Sequence, residues 1–222
     1  MYQQKEKELS YWLSVNNQPA SYMDEKWWEN LGIKHLLLLL KSNNHPLLHI
    51  KINQHLVEKM ELSPVPCYFD LGNDEHQFWL NYFFVLKRAA LIIGLLLQDK
   101  PKLILMFNKV YSHIAKVLPI KKIRFVVANS QFIAGQVVAF SKKYFTGEKE
   151  TSVNEIETQG KIILTNAAPS ELTSRINLLF PPEPTEEMPV KIDIDYNQRT
   201  QIQDLIKRLV RLCNMSVKNI NP

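Results

Sequence analysis

The chain has 222 residues, of which 45% are hydrophobic and 22% are charged, and its formal net charge is +5. This balance is typical of a globular protein and excludes both a disordered chain and a fibrous repeat. Glycine occurs only 6 times and proline 12 times, which favours helices that end at prolines over sheets joined by glycine turns. We therefore predict a mainly α protein, an irregular multi-helix bundle.

The N-terminal region, residues 1–60, is predicted to be helical. Asp24 has the residue type of an N-cap, and the helix that it opens continues to Lys41, with Gly32 as the place where it can break. Pro46 suits the first turn of a further helix, which is predicted to run to about residue 60.

The central region, residues 74–146, follows a proline-containing linker. Asp74 begins a capping-box pattern that opens the longest hydrophobic helix, to about Gln98. Lys87 and Arg88 lie in the middle of this segment, and each charged residue costs about 2.5–3.5 kcal/mol at the centre of a bilayer. We therefore predict a buried core helix rather than a membrane span.

The second half of the central region is strongly basic, because Glu148 is the only acidic residue between positions 100 and 149. An apolar helical face at 103–114 is followed by Pro119, which ends this helix and begins another. That last helix is predicted to run toward residue 140, with a kink at Gly135. The positive charge suits an acidic protein, nucleic acid or anionic lipid headgroups, and composition does not choose among them.

The C-terminal region, residues 152–222, is predicted to be mostly helical. Helical spacing is favoured over a short strand at 161–165. The alternation of apolar and charged residues at 190–196 predicts a short extended strand, and an amphipathic helix follows at 202–213. We expect the three regions to form one compact unit.

No catalytic or metal-binding motif stands out in the sequence. Cys67 and Cys213 lack the spacing of a redox or metal motif, and the glycines form no phosphate-binding loop. His45, His49 and His55 lie near one another, but no glutamate follows His45 as a zincin motif requires. We therefore expect a non-catalytic protein without cofactor or metal.

Nucleic-acid binding is the alternative function. The segments 121–125 and 142–145 combine lysines and an arginine with aromatic residues, as phosphate contact and base stacking require. The same residues are typical of lysines that border a helical core. Two distant cysteines and a polar N-terminal segment without an apolar signal sequence favour a cytoplasmic location.

Three segments carry a family resemblance. Residues 18–23 match a Pro-x-x-Tyr-aliphatic signature, although Asp24-Glu25 replace its usual His-Pro continuation. Residues 84–97 match an apolar helix that runs into a small residue. Residues 170–182 match a Leu-x-x-Arg-x-x-Leu-Leu-Phe-Pro-Pro passage before a terminal amphipathic helix. Together they resemble the SctK family of type III secretion systems, the OrgA/MxiK/YscK-like accessory proteins of the cytosolic sorting platform.

The resemblance implies a mainly helical cytosolic adaptor without catalysis. Such an adaptor links the cytosolic domain of the inner-membrane ring protein, SctD, to the pod protein, SctQ. It thereby anchors the stator protein SctL and the ATPase SctN at the cytosolic face of the inner membrane, with no nucleic acid or small-molecule substrate. As partner-binding residues we predict aromatic anchors and basic side chains: Tyr22, Trp27, Trp28, Lys121, Lys122, Arg124, Arg175 and Phe180.

Overall fold

A computed structural model describes residues 2–64, 74–106, 108–141, 144–145, 152–182 and 191–215. The described residues are 79% helical and include no strand or sheet, which confirms the predicted mainly α bundle. The helices are α1 (Tyr2–Asn17), α2 (Glu25–Asn30), α3 (Lys34–Ser42), α4 (Pro46–Lys59), α5 (Asp74–Tyr82), α6 (Leu86–Leu97), α7 (Pro101–Ile104), α8 (Asn108–Val117), α9 (Ile120–Ala128), α10 (Ser130–Ser141), α11 (Val153–Ala167), α12 (Ser170–Leu178) and α13 (Tyr196–Cys213). Short 3₁₀ turns lie at Pro19–Ser21 and Phe83–Val85.

Residue contacts group these helices into two units. Unit 1 holds α1–α5 and α12, that is, the described residues up to 84 together with 169–182. Unit 2 holds α6–α11 and α13, that is, the described residues of 85–168 and those from 191 onward. The grouping cuts across the three sequence regions, because α5 and α12 both belong to unit 1.

The helix boundaries in unit 1 follow local sequence signals. The Asp24 carboxylate accepts a hydrogen bond from the backbone N–H of Lys26 at 3.1 Å, so Asp24 is the predicted N-cap of α2. Gly32 separates α2 from α3 with φ of +69°, a conformation that favours glycine. Pro46 occupies the first turn of α4. These three predictions are confirmed.

The core of unit 1 is aromatic. Trp28, Trp79 and Phe83 are almost completely buried, and the Tyr22 ring packs edge-on against Phe83 with centroids 4.9 Å apart. Trp12 and Trp27 also belong to this unit, so all 4 tryptophans of the chain lie in unit 1.

The long apolar helix predicted at 74–98 is interrupted by the 3₁₀ turn Phe83–Val85. Aromatic and β-branched residues have low helix propensity, and at this turn the chain passes from unit 1 to unit 2. By length and composition the segment Glu75–Leu97 could cross a membrane, but 67% of its apolar window is buried inside the protein. The bent pair α9 and α10 also passes that test together.

Two glycines allow α6 and α11 to pack closely in unit 2. Gly94 in α6 lies against the backbone carbonyl of Ile156, and Gly160 in α11 lies against the backbone carbonyl of Ala90. A Cβ atom at either glycine would overlap the carbonyl of the other helix. The backbones therefore approach each other through positions without side chains, and α6 is buried along almost its whole length.

The helix predicted to run from 120 toward 140 bends at Asn129 rather than at Gly135. α9 and α10 meet at 68°, and the Asn129 side-chain amide donates a hydrogen bond to the Phe125 carbonyl at 2.8 Å. The same carbonyl also accepts the backbone N–H of Asn129 at 3.1 Å, so both donors of Asn129 close the end of α9. Gly135 lies inside α10 without disturbing it.

Two further segments of unit 2 have sequence patterns that suggest a strand. Residues 161–165 lie within α11, as the helical reading predicts. The strand predicted at 190–196 is wrong for the described residues, because 191–195 form no strand. The alternation reports burial instead: Ile192 and Ile194 are buried between exposed neighbours, and the Ile192 N–H donates to the Asn166 side-chain oxygen at 3.1 Å.

Candidate docking surface

The structure divides the predicted partner-binding residues between the interior and the surface. Lys121 and Arg124 are exposed, and Lys122 and Trp27 are half-buried. The other predicted residues are core residues of unit 1 and not surface anchors: Tyr22, Trp28, Arg175 and Phe180. Only the α9 cations and Trp27 thus retain the accessibility that partner contact requires.

The first and third resemblance segments meet in unit 1, because Tyr22 and Arg175 donate hydrogen bonds to the same Val15 carbonyl. The backbone N–H of Asp24, just after the first segment, donates to the Leu178 carbonyl in the third at 2.8 Å. The Trp27 indole N–H donates to the Phe180 carbonyl at 2.7 Å, across 153 positions of sequence. These hydrogen bonds therefore help to hold unit 1 together.

Arg175 is the most deeply buried cation of unit 1. Its Nε donates to the Val15 carbonyl at 3.1 Å, and its Nη1 donates to the Ser63 carbonyl. The Tyr22 hydroxyl donates to the same Val15 carbonyl at 2.8 Å. Burial lowers the pKa of Arg175 and raises the pKa of Tyr22. The arginine thus joins three separate stretches of chain, and the tyrosine supports it in neutral form.

Helix α9 presents a cationic side to solvent while its apolar side is buried. Ile123, Val126 and Val127 are buried in unit 2, whereas Arg124 and Phe125 are exposed. The helix is therefore amphipathic, with its cations and one aromatic ring on the accessible side.

A groove of about 470 Å³ lies beside this basic side of α9. Its lining combines cations with apolar and aromatic side chains: Lys102, Leu105, Met106, Tyr111, Arg124, Val127 and Ala128. The Arg124 guanidinium carbon lies 5.6 Å from the centroid of the Tyr111 ring, a cation–π contact that positions the guanidinium at the groove.

Bulky apolar side chains are exposed in the same segment of chain. Met106, a lining residue of the groove, is 77% exposed, and Phe132 at the start of α10 is 86% exposed. No carboxylate among the described residues forms an ion pair with Lys102 or Arg124. The groove thus combines cations that have no carboxylate partner among the described residues with uncovered apolar surface, a combination typical of docking sites.

Sequence reasoning identified the cations but missed the groove. The apolar face predicted as one helix at 103–114 is divided between α7 and α8, and Phe107 lies outside the described residues. Neither proline nor glycine marks this break, and Met106 is one of five consecutive apolar residues between Lys102 and Lys109, so the sequence carries no signal for its exposure.

A second, more open groove of about 590 Å³ lies in unit 1. It is lined by residues of α3, including Leu38 and Leu39, and the α4 residues Leu47 and Ile50 are also exposed. Its described lining also includes His35 and Lys41, and Lys41 pairs with the Glu25 carboxylate at 2.6 Å. This surface is mainly apolar and offers less directional chemistry than the groove of unit 2.

The histidines and cysteines considered in the sequence have ordinary surroundings where they are described. The His49 Nε2 atom lies 3.1 Å from the Asn43 carbonyl oxygen, and no cluster of three metal-ligating residues occurs within the described ranges. Cys213 is buried, and burial raises the pKa of its thiol to about 11. Cys67, Lys142 and Lys143 lie outside the described residues.

Comparison with models of known protein families, with curated proteins and with solved structures finds no match. The functional assignment therefore rests on the resemblance of three segments and on the geometry of the two units.

Proposed function

We propose that the protein is a cytosolic adaptor of a bacterial type III secretion sorting platform and resembles the SctK proteins. In this role it links the cytosolic domain of an SctD-like ring protein to an SctQ-like pod protein. The link supports assembly of the SctL-like stator and the SctN-like ATPase, and through them substrate secretion. The protein is peripheral at the cytosolic face of the inner membrane and performs no catalysis.

The contact between the first and third resemblance segments is the observation that carries the proposal. Chance matches at distant positions have no reason to meet, whereas Tyr22 of the first segment and Arg175 of the third donate hydrogen bonds to the same Val15 carbonyl, at 2.8 and 3.1 Å. Residues that lock one unit together are also those that a rapidly diverging family has to keep. The pattern is therefore consistent with a shared fold framework.

An adaptor needs at least two docking surfaces, and the molecule offers one in each unit. Unit 2 carries the cationic groove beside α9, and unit 1 carries exposed leucines on α3 and α4. Exposed apolar side chains beside charge are typical of surfaces that bind proteins. The two surfaces support a bridging role.

The test is affinity purification of the tagged protein from its native cells, with nuclease and about 0.3 M salt to screen loose charge contacts. We expect the pod protein and the ring protein to co-elute. Recovery of neither protein, with nucleic acid bound when the salt is lowered, would reject the adaptor role.

Nucleic-acid binding is the second candidate, because exposed Phe125 and Phe132 accompany the cations of α9. It predicts binding of single-stranded oligonucleotides with a steep loss of affinity as salt rises, since phosphate contacts release counterions. Titration of a labelled oligonucleotide at several salt concentrations separates it from the adaptor role, for which we expect no specific nucleic-acid complex.

A further inference from the structure

We propose that the groove between α7, α8 and α9 binds an acidic, amphipathic segment of a partner protein. Carboxylates of that segment pair with Lys102 and Arg124, and one of its apolar side chains packs against Leu105 and Val127. The inference rests on the proposed adaptor function as the source of the partner, and it assigns the chemistry of one of the two contacts.

The size and floor of the groove suit a short peptide segment. Its volume of about 470 Å³ lies within the range of roughly 300–1,000 Å³ that is typical of ligand pockets. Leu105 and Val127 are buried lining residues, so the floor is apolar. Met106 at the groove is 77% exposed, and a bound apolar side chain would remove it from water.

The charge of the groove selects an acidic occupant. The sequence contains no aspartate or glutamate between positions 100 and 147, and no carboxylate of the described residues forms an ion pair with Lys102 or Arg124. The guanidinium of Arg124 lies over the Tyr111 ring, which limits its motion. A planar guanidinium held in place presents paired N–H groups that match a carboxylate.

The same geometry favours a protein partner over a nucleic acid. Among the described lining residues, Lys102 and Arg124 supply the cations, whereas a nucleic-acid site requires a row of cations that follows the phosphates. One face of the Tyr111 ring is already covered by Arg124 and cannot stack on a base.

Photocrosslinking in the native cells tests the proposal on the full chain. A benzophenone amino acid replaces Met106 at the groove, and in a matched control it replaces Tyr196, which is 79% exposed in unit 2 but does not line the groove. After nuclease treatment, we expect position 106 to crosslink to one protein segment that contains carboxylates and a large apolar residue. Position 196 should not reach that segment.

Charge reversal then identifies the contact. We expect Arg124→Glu and Lys102→Glu each to reduce this crosslink about tenfold, the loss of roughly one charge-assisted contact. Arg208→Glu makes the same charge change at an exposed site on α13 and should leave the crosslink unchanged. When the partner residue that carries the contacting carboxylate is replaced with arginine, the Arg124→Glu variant should again form the crosslink from position 106. Circular dichroism confirms that each variant is folded.

Other outcomes separate the groove from the adaptor role. If ring and pod proteins co-purify but position 106 crosslinks nothing, nucleic acid only, or a segment without carboxylates, the groove inference is overturned and the adaptor role survives. An unchanged crosslink in both charge-reversed variants also overturns it. If position 106 reaches an acidic segment of a protein outside the secretion platform, with loss and rescue by charge exchange, the groove inference stands and the adaptor role fails.

Discussion

Arg175 lies on the apolar face of α12 together with the buried residues Leu172 and Ile176. A cation on such a face is costly unless its donors are used, and here they bind backbone carbonyls of two distant stretches of chain. The helical spacing of apolar residues around Arg175 is visible in the sequence. A single arginine within such an apolar face indicates a buried side chain whose N–H groups need hydrogen-bond acceptors. The prediction of Arg175 as a partner contact considers only its motif, whereas its position on the apolar face of α12 explains its burial.

Replacing Arg175 with methionine tests this role. Arg175→Met keeps much of the side-chain volume but leaves the Ser63 carbonyl without this donor, so we expect the free energy of unfolding of unit 1 to fall by about 2–3 kcal/mol. Urea denaturation followed by tryptophan fluorescence measures the change. Arg208→Met on the exposed side of α13 is the control, with an expected change within about 0.5 kcal/mol. Equal stability of the two variants would contradict the role.

Cys213 makes the free energy of unfolding depend on pH in the alkaline range. Burial raises the pKa of its thiol from the ordinary 9.0 to about 11, so between these values the unfolded thiol is ionised while the folded one keeps its proton. Unfolding therefore releases a proton, and the free energy of unfolding falls as the pH rises from 9 to 11. Below pH 9 this contribution is fully present.

Denaturation at a series of pH values measures this dependence. In Cys213→Ala the fall in stability between pH 9 and 11 should be shallower, although the variant is less stable at every pH because it leaves a small cavity. An identical slope in both proteins would show that the buried thiol does not contribute.

At the scale of elements, the packing of α6 against α11 depends on two glycines. A methyl group at Gly94 or Gly160 would overlap a backbone carbonyl of the facing helix, so the helices have to separate. We expect Gly94→Ala and Gly160→Ala each to destabilise unit 2 by about 1–3 kcal/mol. Thermal denaturation followed by circular dichroism measures the loss.

Gly135 provides the matched control, because it is also a helical glycine of unit 2. The nearest atom to a Cβ at this position is 3.9 Å away, so only the gain in helix propensity remains. Gly135→Ala should therefore be neutral or more stable by up to about 1 kcal/mol. If all three alanine variants behave alike, close backbone packing does not distinguish the first two sites.

Local signals predicted the starts of helices better than their interruptions. Asp24 and Pro46 act through their own backbone and nearest neighbours, and both stand where the sequence places them. The turn Phe83–Val85 and the bend at Asn129 lack glycine and proline. The turn depends on which unit each flanking helix packs into, and the bend is accompanied by a side-chain hydrogen bond of Asn129. The hydrophobic periodicity of the sequence shows neither cause.

The sequence predicts one part of the docking surface, the cations of α9, but not the groove beside them. The cations of α9 follow from composition, since a run without carboxylates has to expose its charge. The groove requires α7, α8 and α9 to be placed around one space, which is a property of tertiary packing. Tyr22, Trp28 and Phe180, which the sequence predicts as partner-binding anchors, are core residues. The sequence alone does not separate the two roles, because aromatic residues are common both in cores and at interfaces.

For the whole molecule, the division into units assigns α12 to a different unit from the helices on either side of it in sequence. Two truncated chains test this assignment: one ends at residue 182 and the other at residue 168, and both lack α13. The longer chain should keep the blue-shifted emission of buried Trp28 and Trp79, whereas the shorter chain loses α12 and should emit at longer wavelength. Coincident emission spectra would contradict the place of α12 in unit 1.

The discontinuity of unit 1 also matters while the chain is being made. Helices α1–α5 leave the ribosome first. The hydrogen bonds that join them to α12 form only after Arg175 and Phe180 have been synthesised. The intervening residues 85–168 take about 4–17 s to synthesise at roughly 5–20 residues per second. Throughout that interval the aromatic core of unit 1 lacks its last helix, so the nascent chain is a natural client for chaperones that cover apolar surface.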